Sequence, residues 1–210
     1  MNLNDKSKGY IFFVRHGQTD WNLKKLMQGR DQIPLNETGL NQADWTAEAI
    51  KSACLKGNFT FNHVYSSPLV RASVTGEKIA NAVLCDFSVD NRLIERDFGE
   101  MSGKPYDFNS PAILHDVKEI KGLEPALEVV ARMHSFIKDT VKIGERIIAV
   151  THGSVTRIFA ENAKKSPSIK NFNEVLSNCH MVIYSYDGID ILMEGYNISP
   201  ENLNEYIQEK

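Results

Sequence analysis

Two kinds of hydrophobic pattern alternate along this chain. Short runs of apolar, β-branched and aromatic residues are separated by longer stretches in which apolar positions recur every three or four residues. The first pattern is typical of buried strands and the second of amphipathic helices. Their alternation predicts an α/β fold with a mainly parallel sheet. The predicted strands are Tyr10–Val14, His63–Ser66, Cys85–Val89 and Arg146–Val150, with a closing hairpin of Met181–Tyr186 and Ile189–Glu194 around Asp187-Gly188.

The predicted helices follow these strands. One apolar stripe begins after a candidate N-cap at Asn36, and a second begins near Pro68. Further helices are predicted near Glu124–Thr140 and after Gly153. The tail from Ser199 onward is polar, and we expect it to fray.

The segment from Arg92 to Leu123 breaks this pattern. Glycines and prolines interrupt every apolar run within it, so we interpret it as an excursion over the sheet rather than a core element. Connections of this length are usually lids or binding loops. Because no linker and no internal repeat divides the chain, we expect residues 1–210 to form a single domain with a cap at about 92–123.

Composition and charge narrow the class of protein. The 210 residues are 42% hydrophobic, and 24 basic against 27 acidic side chains give a net charge of −3. This balance is ordinary for a globular protein and lacks the basic field that non-specific binding to nucleic acids or anionic membranes requires. The three cysteines are widely spaced and imply no disulfide framework. With no apolar run long enough for a signal peptide or a membrane span, we expect a cytoplasmic protein with neither nucleic-acid nor membrane partners.

Candidate chemistry lies where three of the predicted strands end. The first strand runs into Arg15-His16-Gly17, the second into a segment that reaches Arg71, and the strand near residue 150 into Thr151-His152-Gly153. The carboxyl ends of parallel strands share one edge of a sheet, and open α/β sheets bind ligands there. Two His-Gly steps and two arginines therefore converge, and we expect the helices that follow to direct their N-terminal amides into the same crevice. This combination suits a phosphate group.

Simpler interpretations apply to each residue taken alone. A single histidine at a strand end is more often structural, and a single arginine early in a helix is usually a solvated charge, whereas four such residues on one edge favour a site. A metal centre is the nearest alternative. Neither histidine has a second ligand at H-x-H or H-E-x-x-H spacing, however, and two arginines would repel a cation. We therefore expect neither a metal nor another cofactor.

Longer motifs surround these residues. Arg15-His16-Gly17-Gln18-Thr19-Asp20-Trp21-Asn22 opens the series, Gln28-Gly29 follows, and Ser66-Ser67-Pro68-Leu69 precedes Arg71-Ala72. Leu93-Ile94-Glu95, Phe98-Gly99 and the late Thr151-His152-Gly153 complete it. With these motifs the chain resembles the histidine phosphatase superfamily, the phosphoglycerate-mutase-like group, and within it the phosphatase branch. The matches extend from about Ile11 to about Arg157 and keep the order found in the family.

The resemblance implies a three-layer α/β/α sandwich and a set of roles. His16 would be the nucleophile that forms a phosphohistidine, and Glu95 would be the proton donor. The residues that would hold the transferring phosphoryl group are Arg15, Arg71 and His152. Looser matches imply phosphate or substrate contacts for Asn22, Thr19, Gln28, Gly29 and Gly153. The resemblance also implies that no metal is required.

Physical chemistry points the same way. An imidazole attacks phosphorus only when it is neutral, and nearby arginines favour the neutral form. The two arginines and a protonated His152 would be fixed donors for the charge that spreads over the phosphoryl oxygens. Glu95 would protonate the leaving alkoxide and then activate a water molecule, with the neighbouring Glu100 as the alternative acid.

The predicted function is metal-independent hydrolysis of a small phosphorylated metabolite through a phosphohistidine. A cofactor-dependent phosphoglycerate mutase is the alternative. A mutase must shield its intermediate from water, and the 57 positions (152 − 95) between Glu95 and His152 favour the phosphatase. A catalytically idle binding protein would have lost a core residue, and none is lost. The sequence identifies neither the substrate nor a role for the basic residues around 24–30 and 104–121, and it is compatible with a homodimer.

Overall fold

The computed structural model describes residues 3–106, 115–167, 169 and 174–208. The strands are β1 (Gly9–Arg15), β2 (His63–Ser66), β3 (Phe87–Val89), β4 (Arg146–Thr151), β5 (Lys164–Lys165), β6 (Met181–Tyr186) and β7 (Ile191–Ile198). The helices are α1 (Asp20–Leu23), α2 (Glu37–Gly57), α3 (Val70–Val83), α4 (Ala126–Thr140), α5 (Gly153–Asn162) and α6 (Leu203–Gln208), with single 3-10 turns at Asn91–Leu93 and Gly99–Met101. The predicted α/β class is confirmed.

The strands form one seven-stranded sheet in the order β3-β2-β4-β1-β6-β7-β5. β1 lies at its centre, parallel to β4 and antiparallel to β6. The remaining pairings make β6 the one strand of this sheet, as far as the chain is described, that runs against the others. The sheet is therefore mainly parallel, and the carboxyl ends of β1, β2 and β4 lie side by side at one edge.

Helices cover both faces of the sheet and give three layers. Phe12 and Val14 of β1 pack into a core with residues of α2, α3 and α6. Ile11 and Phe13 point to the opposite face and pack with residues of α4 and α5. Because both faces of β1 are buried, each of these four positions must be apolar, which explains the continuous hydrophobic run in the sequence.

Several predicted boundaries and the predicted tail differ from the structure. β3 begins at Phe87 rather than Cys85, and β7 begins at Ile191 because Ile189 lies in the hairpin turn and is 84% exposed. The expectation that the tail frays is wrong for residues 203–208, which form α6. Leu203 and Ile207, four residues apart on α6, are buried against the core beside α2. This single helical turn of apolar spacing was too short to stand out in a polar segment.

The described parts of the predicted cap pack over the loop that follows β1. Met27 from that loop and Phe98 from the cap form the centre of a small apolar cluster. Isolated backbone bridges join Leu26 to Pro105 and Phe98 to Leu123. Residues 107–114 of the predicted excursion lie outside the described residues. The cap therefore stands next to the edge of the sheet at which the candidate residues converge.

None of the helices in the described residues combines the length and the apolar character needed to cross a membrane.

Candidate active site

Backbone hydrogen bonds join the three strand ends into one platform. The amide of His16 donates to the carbonyl of Thr151 at 3.1 Å, and the amide of Ser67 donates to Val150 at 2.9 Å. The loop after β1 also packs tightly on α2, since a Cβ at Gly17 would collide with the backbone of Gly39. The loops after β1, β2 and β4 are therefore held in fixed positions relative to one another.

His16 is buried and its imidazole is held at both nitrogens. Nδ1 lies 2.6 Å from the carbonyl oxygen of Gly17, which can only accept, so Nδ1 carries the proton. Nε2 then has a free lone pair, and it accepts a hydrogen bond from Nε of Arg71 at 3.3 Å. Burial, together with Arg71 and Arg15, holds the pKa of His16 well below its ordinary value. The ring is thus a neutral imidazole with a defined tautomer near pH 7.

Arg71, the second residue of α3, is fully buried and bound on every side. Its Nη1 and Nη2 donate to the carbonyls of Asp31 and Gly29 at 2.7 and 2.8 Å, and its Nε donates to His16. Burial lowers the pKa of Arg71 to about 10, which leaves the group charged near neutrality. The guanidinium is therefore a fixed positive charge in contact with His16.

Arg15 lies on the other side of His16, against the start of α5. Its Nη1 donates to the carbonyl of Leu176, while its Nε is buried without a hydrogen-bond partner. A Cβ added to Gly153 would come within 3.3 Å of that Nε. A glycine at the start of α5 therefore makes room for the Arg15 side chain.

Glu95 is 7% exposed and its carboxylate is held by backbone amides. Oε1 accepts from the amides of Arg96 at 2.8 Å and Val155 at 3.1 Å, and Oε2 accepts from Ser154 at 3.4 Å. Burial raises the pKa of Glu95 above its ordinary value, against these amides and Arg71, which lower it. A carboxyl group of this kind is suited to carrying a proton.

The two neighbouring carboxylates lie in different surroundings. Asp97 accepts from the amide of Gly99 at 2.8 Å, and Glu100 is exposed. Neither lines the cavity that Glu95 shares with His16 and the arginines. The geometry therefore supports Glu95 over Glu100 as the candidate acid.

In the free protein the N-terminal amides of α5 and α3 donate to protein side chains, and the expectation that such amides face a ligand stays a prediction. Those of Ser154 and Val155 in α5 bind Glu95. At the start of α3, the amide of Val70 donates to the side chain of Gln32 at 2.9 Å. Side chains thus occupy these positions, and the positive end of α5 acts on Glu95 instead.

His152 is fully buried beside His16, and the centroids of the two rings are 5.2 Å apart. Its Nε2 lies 2.7 Å from Oγ of Ser67, and its Nδ1 is buried without a hydrogen-bond partner. Burial and the charge of Arg71 hold the pKa of His152 well below its ordinary value. The lowered pKa favours the neutral ring in the free protein, and the expectation of a protonated His152, which concerns the site with a phosphoryl group bound, stays a prediction.

The looser candidates divide into two groups. Asn22, Gln28 and Gly153 line the cavity. Thr19 and Gly29 do not: the Thr19 side chain caps α1 and donates to Oε1 of Gln28 at 3.0 Å, whereas the Gly29 carbonyl accepts from Arg71. Substrate contact by Thr19 or Gly29 therefore has no support from this geometry, and both act by positioning other residues.

Sequence reasoning missed Asn178, which follows no recognisable pattern. Its Nδ2 donates to the carbonyl of His16 at 2.9 Å and to Oδ1 of Asn22 at 3.3 Å. The same Oδ1 also accepts from the amide of Thr19 at 3.1 Å. Two donors on Oδ1 fix the orientation of the Asn22 amide, so its NH₂ group is left as a donor on the cavity side.

The cavity, of about 70 Å³, is lined by charged and by apolar side chains. The charged groups and the imidazole are those of Arg15, His16, Arg71 and Glu95. The apolar and aromatic side chains, which sequence reasoning missed, are Leu26, Met27, Phe98, Tyr106, Val175 and Leu176. The site can therefore bind an anion together with an organic group.

Comparison with known proteins bears out the resemblance. A model of the histidine phosphatase superfamily (branch 1) matches residues 11–199. The chain belongs to this superfamily. It is accordingly an enzyme of the histidine phosphatase and phosphoglycerate mutase type.

Relatives of this member of the superfamily carry both kinds of name. "Probable phosphoglycerate mutase GpmB" from Proteus mirabilis is 29% identical over 199 residues, which cover 90% of each chain. "Uncharacterized phosphatase PhoE" from Bacillus subtilis is 27% identical over 203 residues, which cover 94% of this chain and 96% of the relative. A mycobacterial glucosyl-3-phosphoglycerate phosphatase, solved with VO3, superposes with a TM-score of 0.73 and 22% identity over 91% of this chain and all of the other. This last likeness shows the shared fold.

Proposed function

We propose that this histidine phosphatase hydrolyses a small phosphomonoester without a metal ion, through a phosphohistidine at His16. The observation that carries the proposal is the geometry of that imidazole. Its Nδ1 proton is fixed on the Gly17 carbonyl, its Nε2 lone pair faces Nε of Arg71, and the residue lines the cavity. A neutral imidazole held in this tautomer is a nucleophile ready for attack at phosphorus.

In the first step, Nε2 of His16 forms a bond to phosphorus while the bond from phosphorus to the alcohol oxygen breaks. The imidazole becomes positively charged, and the Gly17 carbonyl that accepts the Nδ1 proton stabilises this charge. The incoming phosphoryl oxygens take over the guanidinium hydrogen bond that the free protein gives to Nε2. Arg71 therefore contacts the nucleophile in the free protein and the phosphoryl oxygens once the substrate is bound.

The phosphoryl cradle consists of Arg15, Arg71, His152 and the amide NH₂ of Asn22. The unpartnered Nε of Arg15 is a buried donor position that an anion would satisfy. His152 lies beside His16 rather than in the cavity lining, and its unpartnered Nδ1 becomes a donor when the ring is protonated. A phosphoryl dianion next to His152 would also raise the pKa of that ring and favour its protonated form. Fixed donors of this kind are typically worth about 3–4 kcal/mol each at the transition state.

Glu95 serves as the acid and then as the base. Its raised pKa keeps a proton available, which passes to the departing alkoxide. The resulting carboxylate then takes a proton from water as the water oxygen attacks phosphorus, and His16 leaves as a neutral imidazole. Glu95 lines the same cavity as His16, which places one group near both protons.

A phosphoglycerate mutase is the second candidate, because curated relatives at 29% identity carry that name. Product analysis separates the two. We expect 3-phosphoglycerate supplied with 2,3-bisphosphoglycerate to yield inorganic phosphate as the main product. Formation of 2-phosphoglycerate ten or more times faster than phosphate release would show that the mutase assignment is correct.

A further inference from the structure

A buried ion pair contacts the loop that carries Glu95 and takes no part in the chemistry described above. It joins Arg132 of α4 to Glu124, which lies two residues before that helix, and the two side chains are only 14% and 8% exposed. Nε and Nη2 of Arg132 donate to Oε1 and Oε2 of Glu124 at 3.1 and 3.2 Å. Neither residue lines the cavity, so any effect on the reaction must pass through other residues.

Both members of the pair also bind the backbone of that loop. Nη1 of Arg132 donates to the carbonyl of Arg92 at 2.5 Å, three residues before Glu95. Oε2 of Glu124 accepts from the amide of Asp97 at 3.2 Å, and the Glu124 amide donates to the Asp97 carbonyl at 2.9 Å. Asp97 lies two residues after Glu95. The ion pair therefore holds two points of the backbone that flank the proposed acid.

Arg96 connects the same pair to the carboxyl group itself. Its side chain is fully buried and donates from Nε to the Glu124 carbonyl at 2.8 Å and from Nη2 to Oδ1 of Asp116 at 2.7 Å. Its backbone amide donates to Oε1 of Glu95 at 2.8 Å. The position of Glu124 therefore helps to fix Arg96, and Arg96 in turn helps to fix the carboxyl group of Glu95.

Stability alone does not explain a charged pair at this place. Two charges taken out of water lose hydration that their attraction offsets only when the geometry is very good, and an apolar pair of similar volume is often at least as stable. An apolar pair could not bind the Arg92 carbonyl and the Asp97 amide, however, because it has neither donor nor acceptor. The charges are therefore suited to fixing the loop.

We propose that Arg132 and Glu124 are positioning residues for proton transfer by Glu95. They hold the loop so that the carboxyl group stays within reach of the leaving oxygen, and they neither gain nor lose a proton themselves. A displacement of about 1 Å at a catalytic group can slow a reaction by about 100-fold. The inference rests on the proposed function, because it concerns the acid step assigned there to Glu95.

Two substrates with different leaving groups test this. Arg132→Met and Glu124→Gln should each lower kcat/KM for glycerol 3-phosphate, whose alkoxide needs the proton, by about 10- to 100-fold. For p-nitrophenyl phosphate the value should fall by less than about threefold. Glutamine suffices as a perturbation, because its NH₂ group faces a donor of Arg132 whichever way the amide is turned. Arg132→Lys, which keeps the charge, should have an intermediate defect.

Comparing the two substrates also separates positioning from an effect on the second histidine. After burial, Arg71 and His16, the charge of Arg132 contributes to the lowered pKa of His152. A change at His152 acts on the phosphoryl group, which both substrates share. It would alter both values alike and leave their ratio unchanged.

Two double variants separate positioning from a loss of folding. Arg132→Met added to Glu95→Gln should change both values by less than about threefold, because the acid that the pair positions is already absent. Arg132→Met combined with Glu124→Met replaces the charged pair by apolar side chains. We expect this variant to melt closer to the wild type than either single variant does, and to keep the selective defect with glycerol 3-phosphate.

Asp139→Asn is the matched control. Asp139 of α4 accepts from Nη1 of Arg92 at 2.5 Å, so it joins the same helix to the same loop, but through a side chain rather than the backbone. Its substitution should change both values by less than about twofold. The inference is overturned if the pair variants slow both substrates equally, if the selective defect persists on top of Glu95→Gln, or if Asp139→Asn shows the same defect. A wild-type ratio in the apolar double variant would overturn it as well.

The wild type and Glu95→Gln check the proposed function separately. If the wild type hydrolyses both substrates and Glu95→Gln shows the selective defect while Arg132→Met and Glu124→Gln do not, the inference fails and the function stands. If the wild type hydrolyses neither substrate, the function fails, and the inference fails with it. If Glu95→Gln has no selective defect, the acid step fails and leaves nothing for the pair to position.

Discussion

Glu95→Gln should separate the chemistry of the leaving group from all other effects of the site. The structure predicts that the variant folds. A glutamine oxygen can replace Oε1 and keep the two shorter bonds, from the amides of Arg96 and Val155, so that only the 3.4 Å contact with Ser154 is lost. That loss is about 1 kcal/mol or less.

The raised pKa of Glu95 in the wild type offsets this loss of stability in the variant. A carboxyl whose pKa is raised on folding is destabilising once the pH rises above its unfolded pKa, because the folded state then buries a charge that the unfolded state solvates. Glutamine removes this effect. We therefore expect the melting temperature of Glu95→Gln at pH 7 to match or exceed that of the wild type.

The kinetic effect should depend on the alcohol that leaves. An alkoxide needs a proton in the first step, and general acid catalysis is worth about 10²–10⁴-fold, or about 3–5 kcal/mol. A p-nitrophenolate leaves without a proton. Because kcat/KM reports the steps up to release of the alcohol, Glu95→Gln should lower it by about 10²–10⁴ for glycerol 3-phosphate and by less than about tenfold for p-nitrophenyl phosphate.

Glu100→Gln is the matched control, since Glu100 is exposed and lies outside the cavity. It should change both values by less than about twofold. The reasoning is refuted if Glu95→Gln slows both substrates equally, or if the selective defect appears in Glu100→Gln. Slow water attack in Glu95→Gln should also give a burst of p-nitrophenolate followed by a much lower steady rate.

Three further outcomes are expected. Activity should persist in excess chelator and be inhibited by vanadate, because arginines and a histidine neutralise the transferring group; activity restored to a chelated enzyme by zinc or magnesium would contradict this. In wild type, kcat/KM for an alkyl phosphate should rise with pH as His16 loses its proton and fall at higher pH as Glu95 loses its own, and the fall should be absent in Glu95→Gln, a difference measured by comparing the two pH profiles. Asn178→Ala should raise KM and lower kcat together, by about tenfold in kcat/KM, because it frees the Asn22 amide and the His16 carbonyl; unchanged steady-state kinetics would show that these bonds do not position the site.

The meeting of the site residues at one edge of the sheet could be predicted because it follows from the order and direction of the strands. Parallel strands place their carboxyl ends at one edge, so histidines that directly follow β1 and β4 must meet there. The 5.2 Å between the rings of His16 and His152 is the structural result. The first strand could be predicted from its continuous apolar run because β1 is buried on both faces.

Properties that depend on long-range packing could not be predicted. The lowered pKa of His152 comes from complete burial and from Arg71, which is 81 positions away (152 − 71). The role of Asn178 depends on a loop that folds back beside β1, and nothing in the local pattern marks it. Motif matching also cannot distinguish Thr19, which supports Gln28, from Asn22, which reaches the cavity.

The proposed mechanism depends most on a covalent phosphohistidine at His16, and a quench experiment measures this intermediate directly. Enzyme mixed with a labelled phosphomonoester and quenched rapidly without acid should carry protein-bound phosphate that is labile to acid and stable to alkali. Glu95→Gln should accumulate more of it, His16→Ala should have none, and peptide mapping should place the label on His16. Label on Ser66 or Ser67 instead, or label of equal amount in His16→Ala, would contradict the proposed mechanism.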